Sequence, residues 1–387
     1  MLRADTARLL RALALTCVGI LAGAVEAPAA VPTDPLGVSQ KLPAPSPHWM
    51  WVNDFVFPHM VDGQALLLDG DKGAFLGMLS TGFGFSRLVI PSDGKVIYSP
   101  ETYFSRGTRG TRTDVVSIYD PRTLSPIGEI GIPAKRASNV PMMSNSVLTD
   151  DDRFLLIYNF NPGQSVTVVD TRTRKFAGEI ETAGCALVYP TGNRSFFSIC
   201  ADGALLDVHL GEDGKAANKK RSARIFDVEH DPVTEKGVRL GDTWYFVSFD
   251  GMMFPVKVTA SGLVAGEKWS LLSAADRQQS WRPGGLQQLA VHAGQKRLYS
   301  IMHKGPIYTH KDPGQDVWVY DLGTKARVQQ IALKNPAGSI QLTRDAKPLM
   351  FSIFIDSTTT DVYDVASGKH LRSIANVGTT PTIMVNP

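Results

Sequence analysis

A unit of about 50 residues recurs along the chain, and it constrains the fold more than any other feature. In a clear copy, an alternating apolar strand ends in Asp, a turn rich in Gly, Thr or Lys follows, and a second strand completes the unit. Seven copies occupy residues 65–79, 115–130, 166–180, 204–215, 253–269, 317–331 and 361–374. Asp69 and Asp120 are 51 residues apart, and Asp120 and Asp170 are 50 apart. This spacing agrees with an even division of the chain after residue 29 into seven parts.

A second recurring unit, a polar turn that leads into an aromatic-rich strand, lies between these copies. It reads PSDGKVIYS, TDDDRFLLIYN, PTGNRSFFSIC, HAGQKRLYSIM and TRDAKPLMFSIF. Four short strands in each 50 residues, with almost no helical periodicity, are typical of β-propeller blades. One blade is too small to bury both of its faces, whereas radial packing of blades buries them. The sequence therefore predicts an all-β fold, a seven-bladed β-propeller.

Two segments depart from the repeat and are candidates for a binding surface. Residues 271–280 have the composition of a helix, with Ser273 as N-cap and Asp276 three residues later. Residues 99–113 form a polar stretch that is broken by glycine and contains the adjacent aromatic residues Tyr103 and Phe104. Insertions on one face of a propeller often build its binding surface.

The N-terminus has the pattern of a secretory signal peptide. Arg3, Arg8 and Arg11 precede an apolar run over 12–25, and small alanines follow. We expect cleavage near Ala29 or Ala30, because a run of about 14 apolar residues is too short to span a bilayer. The predicted organisation is a signal peptide over 1–29, an N-terminal arm over 30–55 and a propeller over 56–387. The mature protein is predicted to be periplasmic, without a membrane segment.

Export gives the cysteines a specific interpretation. After loss of Cys17, only Cys185 and Cys200 remain, and an even number in an oxidising compartment favours one disulfide. A redox or metal pair is the alternative, but the spacing is not that of a CxxC motif and no second cysteine pair completes a zinc site.

Charge and motifs exclude several functions. The net charge is only +3, and the one basic cluster, around Lys219 to Arg224, is too small for the basic stripe that nucleic-acid binding needs. No phosphate-binding loop, dinucleotide fingerprint, nucleophile elbow or HExxH zinc motif occurs. The residues therefore predict an exported propeller scaffold with no catalytic, cofactor-binding or metal site of its own.

Several segments resemble the large (heavy) subunit of bacterial tryptophan tryptophylquinone amine dehydrogenases, of which the methylamine and aromatic amine dehydrogenases are two branches. The segments are HWMWVNDFVFPHM, ALLLDGDKGAFLGMLSTGF, FSRGTRGTRTDVVSIYDP, CALVYPTGNRSFFSICADGALL, WSLLSAADRQQSWRPGG and THKDPGQDVWVYD. They occur in order from about residue 48 to the C-terminus.

The resemblance implies a function that the motif-poor sequence does not reveal. It implies a periplasmic α2β2 enzyme whose small subunit carries the tryptophan tryptophylquinone, so that this chain holds no cofactor. Such an enzyme oxidises a primary amine to an aldehyde and ammonia, and it passes electrons to a blue copper protein such as amicyanin or azurin. The alternative is a stand-alone periplasmic propeller that acts as a binding module.

Phe104 is the one residue to which the resemblance assigns a role. It matches a phenylalanine that lines the substrate channel and faces the quinone in the methylamine branch. A buried aromatic residue at a blade edge is the alternative. Other segments, LGEDGK and WSLL, resemble the aromatic amine branch more closely, so the substrate stays open between short aliphatic and arylalkyl amines.

Overall fold

The computed structural model describes residues 41–139 and 141–387. These residues form seven small antiparallel sheets that are arranged as the blades of a β-propeller, which confirms the predicted all-β class and blade number. The predicted signal peptide over 1–29 and residues 30–40 of the predicted arm lie outside the described residues. In the part of the chain that the structure describes, no helix has the length and apolarity required to cross a membrane.

The strand boundaries are as follows, with blades numbered along the chain. Blade 1 contains Trp49–Asp54, Gly63–Asp69, Ala74–Gly82 and the C-terminal strand Pro381–Val385; blade 2 contains Ile97–Phe104, Arg112–Tyr119 and Pro126–Ile132; blade 3 contains Ser146–Leu148, Phe154–Asn159, Ser165–Asp170 and Lys175–Glu181. Blade 4 contains Cys185–Gly192, Ser195–Cys200, Leu205–Leu210 and Ala216–Arg221; blade 5 contains Val238–Leu240, Thr243–Val247, Met252–Thr259, Gly262–Ala265 and Trp269–Ser270. Blade 6 contains Trp281–Pro283, Leu289–His292, Arg297–Lys304, Gly314–Asp321 and Arg327–Ala337; blade 7 contains Ser339–Leu342, Leu349–Ile353, Thr360–Asp364 and His370–Ile374. The helices are the 3-10 turns Phe57–Asp62 and Met143–Asn145 and the α-helix Ala274–Gln278.

The sequence repeat corresponds to the two outer strands of each blade. In four blades the turn between these strands begins with an aspartate whose carboxylate accepts hydrogen bonds from backbone N–H groups further along the turn. Asp120 Oδ1 accepts from Arg122 and Thr123 at 2.8 Å each. The same arrangement occurs at Asp69, Asp170 and Asp321. The aspartate recurs because its side chain satisfies donors that the tight turn leaves without a strand partner.

The antiparallel order of each blade divides the loops between two faces. Strands are numbered from the axis outward, so the C-terminal strand Pro381–Val385 is the first strand of blade 1, and the segment at Val89, which bridges to Tyr98, takes the first place in blade 2. The first strands of neighbouring blades contact one another near the axis. We call upper the face that carries the loops between second and third strands together with the connections between blades. The lower face carries the loops between first and second strands and between third and fourth strands. Phe104 ends the second strand of blade 2 and therefore lies on the upper face.

Blade 1 closes the ring because it combines the two ends of the described chain. Trp51 to Asp54 pair with the C-terminal strand, and the whole of Trp49–Asp54 pairs with Gly63–Asp69. The predicted arm over 30–55 is therefore wrong at its C-terminal end, since the propeller begins at Trp49. This strand is buried on both faces, so it lacks the polar alternation that marks the outer strands in the sequence.

A buried carboxylate joins the two ends at this closure. Asp54 is fully buried, and its Oδ2 accepts hydrogen bonds from Thr379 N at 2.6 Å and Gln64 Nε2 at 2.9 Å. Its Oδ1 accepts from Val56 N at 3.0 Å and Thr380 N at 2.9 Å. Hydrogen bonds to a charged acceptor are stronger than neutral ones, so this contact fixes the C-terminal segment against the end of Trp49–Asp54.

The hydrophobic core lies between blades rather than at the axis. Its densest aromatic part is the interface of blades 4 and 5, where Tyr189 stacks on Phe197 at 4.9 Å and meets Trp244 and Phe246 edge-on at 5.2 Å each. Aromatic pairs of this geometry add stability beyond the area that they bury. Each blade thus depends on its neighbours for its core.

Two local predictions are confirmed. Cys185 and Cys200 are disulfide-bonded and lie opposite each other on the first two strands of blade 4. The predicted helix exists between blades 5 and 6, and Ser273 caps it in a capping box with Asp276. It is shorter than the predicted 271–280, because Leu271 and Leu272 are buried in the interface beside it instead of entering the helix.

His48 gives the ring closure a pH dependence. Its Nδ1 lies 2.7 Å from Asp71 Oδ1 of blade 1, and its Nε2 lies 3.2 Å from Asp345 Oδ2 of blade 7. Burial acts to lower the pKa of His48, but the hydrogen bonds and charges of the two aspartates outweigh it, so the pKa is raised above 6.5. The stabilisation is therefore fully present below pH 6.5 and is lost as the pH rises through the folded-state pKa.

We expect His48→Gln to lower the free energy of unfolding more at pH 5.5 than at pH 8.5. Urea denaturation at both pH values measures the difference between wild type and variant. His59→Gln, which removes an exposed His–Asp pair on the upper face, is the control and should have little effect at either pH. A loss for His48→Gln that is equal at both pH values would contradict this account of the contact.

Removal of the disulfide should destabilise the propeller without changing its fold. The cysteines are 15 residues apart, and a crosslink that closes such a loop contributes about 3 kcal/mol in the chain-entropy model. We expect the double variant Cys185→Ser, Cys200→Ser to lose about that free energy of unfolding in non-reducing urea titrations. Mass spectrometry after alkylation of the native wild-type protein should detect no free thiol among the mature cysteines, and two modified cysteines would refute the prediction.

Candidate functional site

Phe104 lies at the upper end of its strand and is half-buried. Its ring meets that of Phe83 edge-on, with centroids 5.3 Å apart. It is therefore neither a fully enclosed core residue nor freely exposed, and a side chain in this position can contact a molecule placed on the upper face. The assignment of Phe104 to a substrate channel stays a prediction.

Sequence reasoning did not assemble the Phe83–Phe104 pair with a neighbouring group of three rings, Phe55, Phe57 and Phe85, which contact one another and are joined to the pair along the chain at Gly84. We call the two groups together the aromatic cluster, and its members are Phe55, Phe57, Phe83, Phe85 and Phe104. The Phe55 and Phe85 ring centroids are 4.9 Å apart, and those of Phe57 and Phe85 are 5.2 Å apart. Phe57 is 37% exposed. The cluster thus reaches from the core of blade 1 to the surface.

The sequence signal for this cluster is two pairs of phenylalanines that are each separated by one residue, FVF at 55–57 and FGF at 83–85. The glycine between Phe83 and Phe85 is required by the backbone. Gly84 has φ +81°, and a Cβ at this position would lie 2.4 Å from Ser138 O. Only glycine therefore lets the connection between blades 1 and 2 approach the connection between blades 2 and 3 so closely.

A buried carboxylate supports Phe104 from below. Asp114 is 1% exposed and pairs with Thr102 across the two strands. This pair is two positions below the pair of Phe104 and Arg112, so both pairs are on the same side of the sheet. Its oxygens accept from Thr102 Oγ1 at 2.9 Å and from Arg112 Nε and Nη2 at 2.8 and 2.7 Å. This two-point contact between guanidinium and carboxylate fixes both direction and distance. It therefore orients the hairpin that carries Phe104.

Arg136 extends this network to the aromatic cluster. Its backbone N donates to Asp114 Oδ2 at 3.1 Å, and its Nη2 donates to Phe83 O at 2.7 Å. Burial lowers the pKa of Arg136 to about 10, although Asp114 acts in the opposite direction. Arg136 remains charged at neutral pH, so a buried cation holds the segment from which the Phe83 and Phe85 rings project.

Glu101 is a second buried carboxylate. It lies on the strand of Phe104 and on the opposite side of the sheet from Asp114. Its Oε2 accepts from Tyr103 Oη at 2.6 Å and from Ser117 Oγ, and its Oε1 accepts from Tyr119 Oη at 3.1 Å. Burial raises the pKa of Glu101, while the three hydroxyl donors act to lower it. With both oxygens occupied, Glu101 is built to hold the partly exposed Tyr103 ring rather than to accept a proton from a substrate.

More apolar side chains lie on the upper face at blades 3, 5 and 6. Phe249 stacks on His310 with centroids 3.8 Å apart and meets Tyr308 edge-on at 6.1 Å. Tyr308 is 68% exposed, and Ile307 and Phe160 are also exposed. The upper face is therefore rich in large apolar groups around much of its circumference.

The upper face offers apolar binding surface around Phe104. In the described ranges 41–139 and 141–387, no group of three or more His, Cys, Asp or Glu side chains could hold a metal ion. The two cysteines of these ranges are bonded to each other, and the carboxylates nearest to Phe104 have their oxygens occupied. The chemistry on this face is that of apolar rings on a rigid polar support.

Comparison with known proteins supplies the family. The model of the methylamine dehydrogenase heavy chain family matches residues 48–386. The methylamine dehydrogenase heavy chain of Paracoccus versutus is 31% identical over 349 residues, which are 88% of this chain and 80% of that relative. The heavy chain of Methylorubrum extorquens is 30% identical over 83% of this chain and 78% of that relative.

Solved structures share the fold at much lower identity. A protein of unknown function from Desulfotomaculum acetoxidans has a TM-score of 0.60 at 13% identity and covers 87% of this chain and 98% of its own length. This similarity supports the propeller architecture alone. The family match, together with two relatives that are about 30% identical over more than four fifths of the chain, shows that this protein belongs to the methylamine dehydrogenase heavy chain family.

Proposed function

We propose that this chain is the large, non-catalytic subunit of a periplasmic amine dehydrogenase whose small subunit carries a tryptophan tryptophylquinone. The enzyme oxidises a primary amine to an aldehyde and ammonia and transfers electrons to a blue copper protein. The observation that carries the proposal is the family match over 48–386. Methylamine is the first substrate to test, because it is the amine in the names of the relatives.

The small subunit binds the upper face in this proposal. Protein interfaces favour aromatic residues at their buried centre, and the upper face exposes rings at several blades. Phe57, Tyr103, Phe160 and Tyr308 are between 37% and 68% exposed. Burial of these side chains would stabilise a complex through the hydrophobic effect.

The quinone of the partner supplies the group that accepts the electrons of the amine. This chain contributes the wall that faces it. Phe104 excludes bulky side chains and water by its volume, and the Asp114, Arg112 and Arg136 network holds its strand in place. The support is internal to blade 2 and its neighbours, so the wall exists before the partner binds.

Export and the electron acceptor belong to the same proposal. The N-terminal 29 residues have the pattern of a cleaved signal, and the Cys185–Cys200 disulfide suits an oxidising compartment. A periplasmic location gives access to the soluble blue copper proteins, of the amicyanin or azurin type, that would accept single electrons. The proposed assembly has two large and two small subunits.

One prediction of the proposed function concerns the partner-binding face. Co-expression with the light chain of a methylamine dehydrogenase operon should yield a complex with quinone absorbance, and Tyr308→Asp should weaken light-chain binding by about tenfold or more. Phe75→Asp is the matched control, because Phe75 is 56% exposed but lies on the outer strand of blade 1, near the lower face. Size-exclusion chromatography and titration of the separated subunits measure the effect.

Two outcomes would contradict this placement. Loss of binding in Phe75→Asp with no effect of Tyr308→Asp would show that the partner binds elsewhere. An isolated native protein that stays a colourless monomer with its cognate light chain present would favour the stand-alone binding module instead.

Another prediction of the proposed function concerns Phe104 as a gate that excludes bulky amines. One methylene in an apolar pocket changes discrimination by about 1–3 kcal/mol. Phe104→Ala should therefore raise kcat/KM for a bulky amine relative to methylamine by about tenfold or more. Steady-state kinetics of the assembled enzyme with methylamine and phenylethylamine measure the ratio.

Two further variants make the gate test specific. Phe57→Ala tests whether Phe57, the exposed ring of the aromatic cluster, shares the role. Phe176→Ala removes a ring that is 41% exposed, similar to Phe57, from the outer strand of blade 3. The latter should leave the ratio unchanged. If Phe104→Ala costs about 3–5 kcal/mol of stability, as for a core ring, and leaves the ratio unchanged, Phe104 is a packing residue.

A further inference from the structure

A cavity of about 460 Å³ lies at the axis of the propeller, on the inner side of the first strands. Leu289, Ala290 and Leu342 contribute apolar surface, and Arg87, Lys236 and Arg344 contribute positive charge. This volume is typical of sites for small ligands. The cavity does not include the exposed rings to which the proposed function assigns the partner, although connections between blades at 143–144 and 235–237 form part of its wall.

The cavity has more positive than negative charge. Its lining contains the cations Arg87, Lys236, Arg239 and Arg344, and Glu235 is the acidic residue among the lining side chains. Arg239 is neutralised by Asp150, with Nη1 to Oδ1 at 2.6 Å and Nη2 to Oδ2 at 2.9 Å. The net charge facing the cavity is therefore positive even after this pair is set aside.

Two further basic side chains at the cavity, Lys236 and His292, already have hydrogen-bond partners in the protein. Lys236 Nζ donates to Gly285 O at 2.6 Å and to His310 O at 3.5 Å, and burial lowers its pKa to about 8. His292 Nδ1 accepts from Gln295 N at 3.1 Å, and its Nε2 contacts Asp345 O at 2.8 Å. Both ring nitrogens of His292 therefore already have hydrogen-bond partners in the protein.

Arg87 and Arg344 are left without a carboxylate partner. Arg87 Nη1 donates to Ser146 O, whereas its Nε is shielded from solvent and has no hydrogen-bond partner in the described residues. Arg344 makes no hydrogen bond or ion pair with any described residue, and it lines the cavity from the lower face. Burial and the positive charge of Arg344 together lower the pKa of Arg87 to about 10. Both guanidinium groups are charged at neutral pH and repel each other.

We propose that the axial cavity binds a small oxyanion between Arg87 and Arg344. A guanidinium group presents donors in a planar fork that matches the oxygens of a carboxylate, phosphate or sulfate. An oxyanion would satisfy Arg87 Nε, give Arg344 a partner and turn the repulsion between the two cations into attraction to a shared charge. Binding of the anion offsets the desolvation of Arg87 and the repulsion between the two cations, and Arg344, which is exposed to solvent, contributes its charge.

Inorganic phosphate is the probe for a binding test on the purified full-length mature chain. Isothermal titration calorimetry at constant ionic strength should give one site per chain with a Kd below about 1 mM. Arg344→Gln should weaken binding by about tenfold or more, because it removes a charged donor. Arg194→Gln, which makes the same charge change at an exposed pair with Glu212, should leave the Kd unchanged. Succinate in place of phosphate distinguishes a carboxylate from a phosphate as the preferred oxyanion, and tighter binding of either supports the site.

Melting temperature gives a second readout, because the difference between Arg344→Gln and wild type should change sign when phosphate is added. Without oxyanion, Arg344→Gln should melt at the same or a higher temperature than wild type, since it removes repulsion and breaks no contact. With saturating phosphate, wild type should be the more stable protein. No saturable binding up to about 10 mM phosphate or succinate, equal weakening by Arg194→Gln, or no preference over chloride would overturn the proposal.

Discussion

The closure of the ring at Asp54 is the interaction on which the rest of this structure depends. Each blade buries its faces against the next, so the ring has no stable core until the last blade meets the first. Blade 1 completes it by pairing Trp49–Asp54 with the C-terminal strand. Asp54 accepts hydrogen bonds from the backbone of Thr379 and Thr380, and His48 connects the same blade to Asp345 of blade 7. Contacts between residues more than 290 positions apart thus fix the positions of all seven blades.

The closed ring fixes the loops of the upper face relative to one another, and buried charges fix the segments that carry Phe83 and Phe104. Asp114 is one end of a chain of contacts that passes through Arg112 and Arg136 to the backbone of Phe83. Removal of one partner from such a buried pair leaves an uncompensated charge, which is strongly destabilising. The sequence motif FSR..RG.RTD contains Phe104, Arg112 and Asp114. The motif that carries the family resemblance therefore encodes both the ring on the surface and its support.

The outer strands could be predicted from the sequence because their physics is local. Their exposed side alternates with the buried side, and in four blades an aspartate such as Asp120 marks the turn by accepting hydrogen bonds from backbone N–H groups two and three residues ahead. The inner strands could not be predicted so well. Trp49–Asp54 is buried on both faces, and Ser146–Leu148 has only three residues, so neither has a period to detect. For the same reason, the predicted arm extended into the first strand of the propeller.

The candidate site was only partly predictable, since it is assembled from distant segments. The sequence indicated Phe104 but not the other rings of the aromatic cluster, because Phe57 and Phe83 belong to two loops at the upper end of blade 1 that the pairing of its strands brings to the same face. The axial cavity was equally invisible, since Arg87 and Arg344 are separated by five blades of sequence.

The central claim is that a rigid propeller presents its upper face to a partner subunit. Hydrogen–deuterium exchange of the chain, alone and with its light chain, tests it most directly. The account predicts slower exchange in the upper loops 55–62, 105–111 and 305–313 when the partner is bound, with unchanged exchange in the lower turns 70–73 and 121–125. Protection confined to the lower turns, or no protection in the upper loops of a complex that is demonstrably formed, would contradict it.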